Sequence, residues 1–152
     1  MPLYNFRRNS GIIVLVKTMR KNTLRHLTKN ERAALDRFVA QLHDKYADQI
    51  VRVVLFGSKA RGDFDAESDL DVFVLVKSDD WRLQDRIATL TSPISLEYNT
   101  LLSPKVIGPS LYRRMRQSRS FFLQNVSKEG TSLWTRPLAK RSAKTLPTAA
   151  MN

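Results

Sequence analysis

Asp69 and Asp71 stand one residue apart inside a run of Leu, Val and Phe. In a strand, the side-chain period of two puts both carboxylates on one face and Leu70 and Val72 on the other. Two charges held side by side in apolar surroundings repel each other and lose solvation, and a hard divalent cation compensates both effects. Magnesium is the natural choice, since one or two carboxylates together with substrate phosphates usually hold it. Upstream, Gly57 and Ser58 follow the apolar run Val51–Phe56. A glycine there lets backbone N–H groups approach a phosphate, and the serine hydroxyl adds a donor. Lys59 and Arg61 lie close enough in sequence to add positive charge to a triphosphate, or else face solvent. Gly57 and Gly62 have the spacing of a Walker phosphate loop, but Asp63 stands where its lysine must be, which excludes that loop. An Asp pair alone also caps strand ends and blunts sheet edges. The specific signal is the combination of strand, Gly57-Ser58, a step of eleven positions to Asp69, and a second strand.

The elements that position these residues follow from pattern. Thr28 and Glu31 have capping-box spacing, and Leu35, Phe38, Val39, Leu42 and Tyr46 follow at helical intervals, which predicts a helix ending near Ala47. Val51–Phe56 and Asp69–Val76 read as buried strands. Ser78, Asp79 and Asp80 offer caps for a helix with Leu83, Ile87 and Leu90 on one face, which Pro93 is expected to stop. At least one strand lies within residues 94–107, either Ile94–Asn99 or Leu101–Ile107. Gly108 and Pro109 open a last helical region with Leu111, Tyr112, Met115, Phe121, Phe122 and Val126 inward, closed by Gly130. The expected class is α+β with an α/β-like order, a small mixed sheet flanked by helices. The expected organisation is a basic, poorly ordered extension over residues 1–27, in which Met19 is an alternative start, a domain over 28–134, and a basic tail over 135–152.

At this point a resemblance becomes specific. Leu55-Phe56-Gly57-Ser58-Lys59-Ala60-Arg61-Gly62, followed by Ser68-Asp69-Leu70-Asp71-Val72, resembles the signature of the minimal nucleotidyltransferases of the polymerase-beta-like superfamily. The resemblance runs from the Thr28 helix to about Trp134 and is strongest over residues 54–76. It implies the nucleotidyltransferase fold and transfer of a nucleoside monophosphate from an NTP, with ATP the expected donor, to a hydroxyl of a protein or RNA acceptor. By the resemblance, Gly57 and Ser58 hold the triphosphate, while Asp69 and Asp71 bind two magnesium ions. Such sites take a third carboxylate from a later strand. If Ile94–Asn99 is that strand, Glu97 supplies it; if the strand is Leu101–Ile107, the place is vacant and Ser103 sits near it. Proteins of this kind also act as antitoxins that bind or modify a small helical HEPN partner, which makes a catalytically weak nucleotide-binding module the alternative reading.

Composition sets the remaining bounds. The 152 residues amount to about one domain. The absence of cysteine excludes disulfides and thiolate metal sites. The N-terminal apolar run Ile12–Val16 falls short of a signal-peptide core of roughly 7 to 15 residues and of the roughly 20 that span a bilayer, so no membrane association and a cytoplasmic location are expected. The net charge of +12 is uneven: residues 1–30 hold seven bases and no acid, residues 31–103 nine bases and thirteen acids, and residues 104–152 ten bases and one acid. Basic ends of this kind attract polyanions, including nucleic acid, or are solvated tails. Arg113, Arg114, Arg116 and Arg119, interleaved with aromatic residues, extend the same pair of readings. His26 and His43 have no partner at metal-ligand spacing, and Trp81 and Trp134 read as packing residues.

Overall fold

The computed structural model describes residues 24–135 apart from 64 and 66. Most of the expected N-terminal extension and all but residue 135 of the tail therefore lie outside the described residues. The first helix, α1 (Lys29–Tyr46), begins at the predicted capping box. The Glu31 amide donates to Thr28 Oγ1 at 3.1 Å, and the Thr28 amide donates to Glu31 Oε2 at 2.9 Å. Its buried stripe of Ala34, Leu35, Phe38, Val39 and Leu42 faces the sheet. Leu24 and Leu27, assigned by pattern to the extension, are buried in the same core.

Four strands form one mixed sheet in the order β3-β2-β1-β4. Strand β1 (Ile50–Phe56) pairs antiparallel with β2 (Leu70–Val76), and between them lies a single helical turn, α2 (Ser58–Arg61). From β2 the chain crosses over through α3 (Trp81–Thr89) and α4 (Thr91–Tyr98) to β3 (Leu102–Ile107), which runs parallel to β2. A parallel neighbour requires a long crossover of this kind. Helices α5 (Pro109–Gln117) and α6 (Phe121–Glu129) lead to β4 (Thr131–Thr135), antiparallel to β1.

Strand alternation divides the core. Val53, Leu55, Leu70, Val72, Val74 and Val76 face α1, α3 and α4, whereas Val54, Phe73 and Leu75 face α5 and α6 with Ile107 and Val126. Asp71 falls on the second face, in phase with Phe73 and Leu75.

Two expectations are corrected. Ile94–Asn99 is not a strand, because residues 91–98 form α4. Pro93 sits in the first turn of that helix, where its missing N–H removes no intrahelical bond, so it does not block the helix. Ile94 is buried at 1% exposure while Leu96 is 84% exposed, a helical split rather than a shared strand face. The strand is the later segment, and Pro104 is tolerated within it because β3 lies on the sheet edge. The second correction is β4, which the pattern did not predict. Gly130 makes its start possible, since a Cβ there would lie 2.4 Å from Val54 Cγ1 and 2.3 Å from the Val126 carbonyl oxygen. Trp134 packs in the core as expected, whereas Trp81 is largely exposed.

Candidate metal and nucleotide site

The register brings the Gly57 turn beside Asp71. Phe56, the last residue of β1, pairs with Asp71, so the chain turns away from the sheet beside that carboxylate. Gly57 makes the turn at φ +77° and ψ −161°, a region that essentially only glycine occupies. A Cβ on Gly57 would lie 2.6 Å from Asp71 Oδ2. Glycine is thus required twice, by its dihedrals and by the approach of the acid. Ser58 then opens α2, where the Gly57 carbonyl accepts from the amides of Ala60 and Arg61, each at 3.1 Å. The turn closes on Gly62 at φ +87°, whose amide donates to the Ser58 carbonyl at 2.8 Å. Ser58, Asp69 and Asp71 are all partly exposed.

Burial pushes the Asp71 carboxyl above its ordinary range, and the negative charge of Asp69 adds to the rise; Lys105 and then Arg61 work against it. The pair therefore carries the electrostatic cost that a cation relieves.

The basic residues separate. Lys59, expected to add charge to a triphosphate, turns inward. It is 2% exposed, and its Nζ donates to Glu31 Oε1 at 2.6 Å. On a one-turn helix, Lys59 points toward the start of α1, where the capping glutamate receives it. Arg61 stays at the surface, with Nε on Asp63 Oδ1 at 3.0 Å and Nη1 on Glu129 Oε2 at 2.8 Å. The bonds to Glu129 and Asp63 hold its pKa above the usual arginine value.

Glu97 is not brought into a group with Asp69 and Asp71. It lies exposed on α4, and among the described residues no group of three acids, histidines or cysteines is arranged to hold a metal. The position in register with Asp71 on β3 is Ser103, and two residues on, in register with Phe73, is Lys105. The Lys105 ammonium reaches back to donate to Ser103 Oγ at 3.4 Å. Pattern reading passed over Lys105; the signal available was its period-two spacing from Ser103 on a strand beside the Asp pair. A groove of about 660 Å3 along the outer edge of β3, lined by Trp81, Pro104, Lys105, Met115 and Phe122 among others, borders this lysine. Gly57, Ser58, Asp69 and Asp71 do not line it.

Asp71 near the start of β2 and Asp69 one residue ahead of that strand, beside a glycine turn, suit one hard cation whose remaining ligands are phosphate oxygens and water. A second ion finds no third acid among the described residues.

A family model for the nucleotidyltransferase domain matches residues 35–110, and the chain belongs to that family. This establishes the class that the glycine turn and the Asp pair announced. More particularly, the chain is 32% identical over 105 residues to Methanocaldococcus jannaschii MJ0604, provisionally named a protein adenylyltransferase, covering 69% of this chain and 99% of that protein. A second protein of that organism, MJ0141, carries the same provisional name and is 48% identical over 58 residues, spanning 38% of this chain and 59% of its own length. Among solved structures, a mutant MntA–HpeT toxin–antitoxin aligns with a TM-score of 0.45 at 17% identity, covering 66% of this chain and 73% of that one. At that level the likeness carries no argument, and the assignment rests on the family and the relatives. Among the described residues, no helix is long and apolar enough to cross a membrane.

Proposed function

We propose that this nucleotidyltransferase is magnesium-dependent and moves a nucleoside monophosphate, with ATP as the donor, onto a hydroxyl of a protein acceptor. The observation that carries the reading is the contact between the Gly57 turn and Asp71, which brings a phosphate-approachable backbone against a carboxylate pair. The acceptor class is supported by the names of the two relatives.

In the reaction the acceptor oxygen bonds to the α-phosphorus as the bond from that phosphorus to the bridging oxygen of the β-phosphate breaks. Pyrophosphate leaves, and the acceptor proton passes to solvent. Asp69 and Asp71 would hold magnesium, which supplies charge neutralisation at the phosphates. Gly57 lets the Asp71 carboxylate come up against the turn, and the Ser58 hydroxyl would donate to a phosphate oxygen. Arg61, kept in place by Glu129 and Asp63, contributes positive field at the same sheet end.

The absence of a third acid at Ser103 favours a second reading, a weakly catalytic nucleotide-binding module that covers a small helical, HEPN-like partner. Binding of RNA or DNA through the basic ends and the exposed arginines of α5 is a further property to test.

The deciding experiment incubates the chain with each labelled NTP, magnesium, and candidate protein and tRNA acceptors. Transfer to protein that disappears in D69A/D71A is the expected result. No transfer from either version, with nucleotide binding intact, selects the second reading.

A further inference from the structure

We propose that Lys105 is a phosphate-binding residue of this site, occupying the ground beside Asp71 where a third carboxylate would stand, so that the Asp69–Asp71 pair takes one divalent cation per bound triphosphate. This rests on the nucleotide-site reading above and goes beyond it in naming a residue and an ion count.

Parallel pairing puts Ser103 level with Asp71 and Lys105 level with Phe73, and registered neighbours share a face of the sheet. That face is the one carrying Asp71, Phe73 and Leu75, as the packing of Phe73, Leu75 and Ile107 in one cluster shows. Adjacent strands lie roughly 5 Å apart, so the side chain of Ser103 is beside that of Asp71. The lysine does not extend away from this point: its ammonium is 3.4 Å from Ser103 Oγ, which brings the charge back toward the carboxylates.

A triphosphate brings several further negative charges to two carboxylates already in repulsion. One divalent ion offsets part of that charge, and a second would need a further carboxylate beside Asp71, where β3 instead offers a neutral hydroxyl and an ammonium. A lysine is a compact cation with three donors and is well suited to phosphate oxygens. Lys105 itself is exposed, so changing it leaves the core untouched.

The test measures binding by the full chain of Mn2+ and a non-hydrolysable β,γ-imido analogue of ATP, with calorimetry for affinity and electron paramagnetic resonance for free Mn2+. Wild type, K105A, K105E and D69A/D71A are compared. Wild type should take one Mn2+ per nucleotide. K105A should raise the nucleotide Kd tenfold or more, equivalent to about 1.4 kcal/mol, with unchanged thermal stability. K105E should admit a second Mn2+. Two Mn2+ per nucleotide in wild type, or a K105A Kd within about twofold of wild type, overturns the role of Lys105 while leaving the site intact. Binding indifferent to D69A/D71A overturns the nucleotide-site reading itself and this inference with it.

Discussion

Gly57→Ala perturbs the site at its most constrained atom. Two costs arise, and the structure separates them. At φ +77° and ψ −161° the backbone occupies a region closed to residues with a Cβ, and holding alanine there costs on the order of 1–3 kcal/mol. The new methyl group would also lie 2.6 Å from Asp71 Oδ2, well inside contact distance. That second conflict is relieved by turning the carboxylate aside, so it appears less as instability than as a displaced metal ligand. Equilibrium urea unfolding should show G57A less stable by roughly 1–3 kcal/mol. Mn2+ affinity in the presence of nucleotide should fall at least tenfold, about 1.4 kcal/mol. Repeating the substitution in a D71A background removes the steric conflict but keeps the backbone strain, so the stability loss there should be equal or smaller. A G57A protein within about 0.5 kcal/mol of wild type and with unchanged Mn2+ affinity would refute the reasoning on both counts.

Two further predictions concern the scaffold. K59M removes one partner of a buried 2.6 Å ion pair and should cost about 3 kcal/mol, the low end for such a change, because the Thr28 amide still supports the Glu31 carboxylate. Unfolding of K59M, E31Q and the double variant should reveal a coupling above about 1 kcal/mol, and additive losses would contradict the pairing. Asp79 accepts from the Ser110 hydroxyl and amide at the start of α5, and these bonds hold its carboxyl below the ordinary value of 3.8. A depressed pKa contributes stability above the unfolded value that is lost as pH falls through the folded one. D79N should therefore be less stable than wild type at neutral pH, with the gap closing in acid; a gap independent of pH would show that the charge plays no part.

The parts of the fold that could be read in advance are those fixed by local chemistry. Thr28 and Glu31 announce α1 because both halves of the capping box lie within four residues. The runs ending at Phe56 and Val76 announce β1 and β2 because both strands are buried in the middle of the sheet. The acid pair and glycine turn were visible for the same reason: their spacing is local, and the strand period does the rest. What escaped was decided at long range. Lys59 looks like any basic residue beside a phosphate turn until α1 brings Glu31 to it across 28 positions. Residues 94–99 alternate as a strand would, and only packing of Ile94 against the α1 side of the core settles them as helix. Strand β4 is five residues long and exists because β1 offers it an edge. Leu24 and Leu27 sit in a polar stretch whose burial depends on contacts distant in the chain. The value of Lys105 follows in turn from the parallel register of β3, which no local pattern supplies.

The most direct test of the account follows where the label goes. The full chain, magnesium and a protein acceptor are incubated in parallel with ATP labelled on the α-phosphate and ATP labelled on the γ-phosphate. Transfer of a nucleoside monophosphate predicts that α-label becomes attached to the acceptor while γ-label is released as pyrophosphate, and that D69A/D71A abolishes both. Attachment of γ-label, or α-label transfer that persists in D69A/D71A, would contradict the claim that Gly57, Ser58, Asp69 and Asp71 form the site of nucleotidyl transfer.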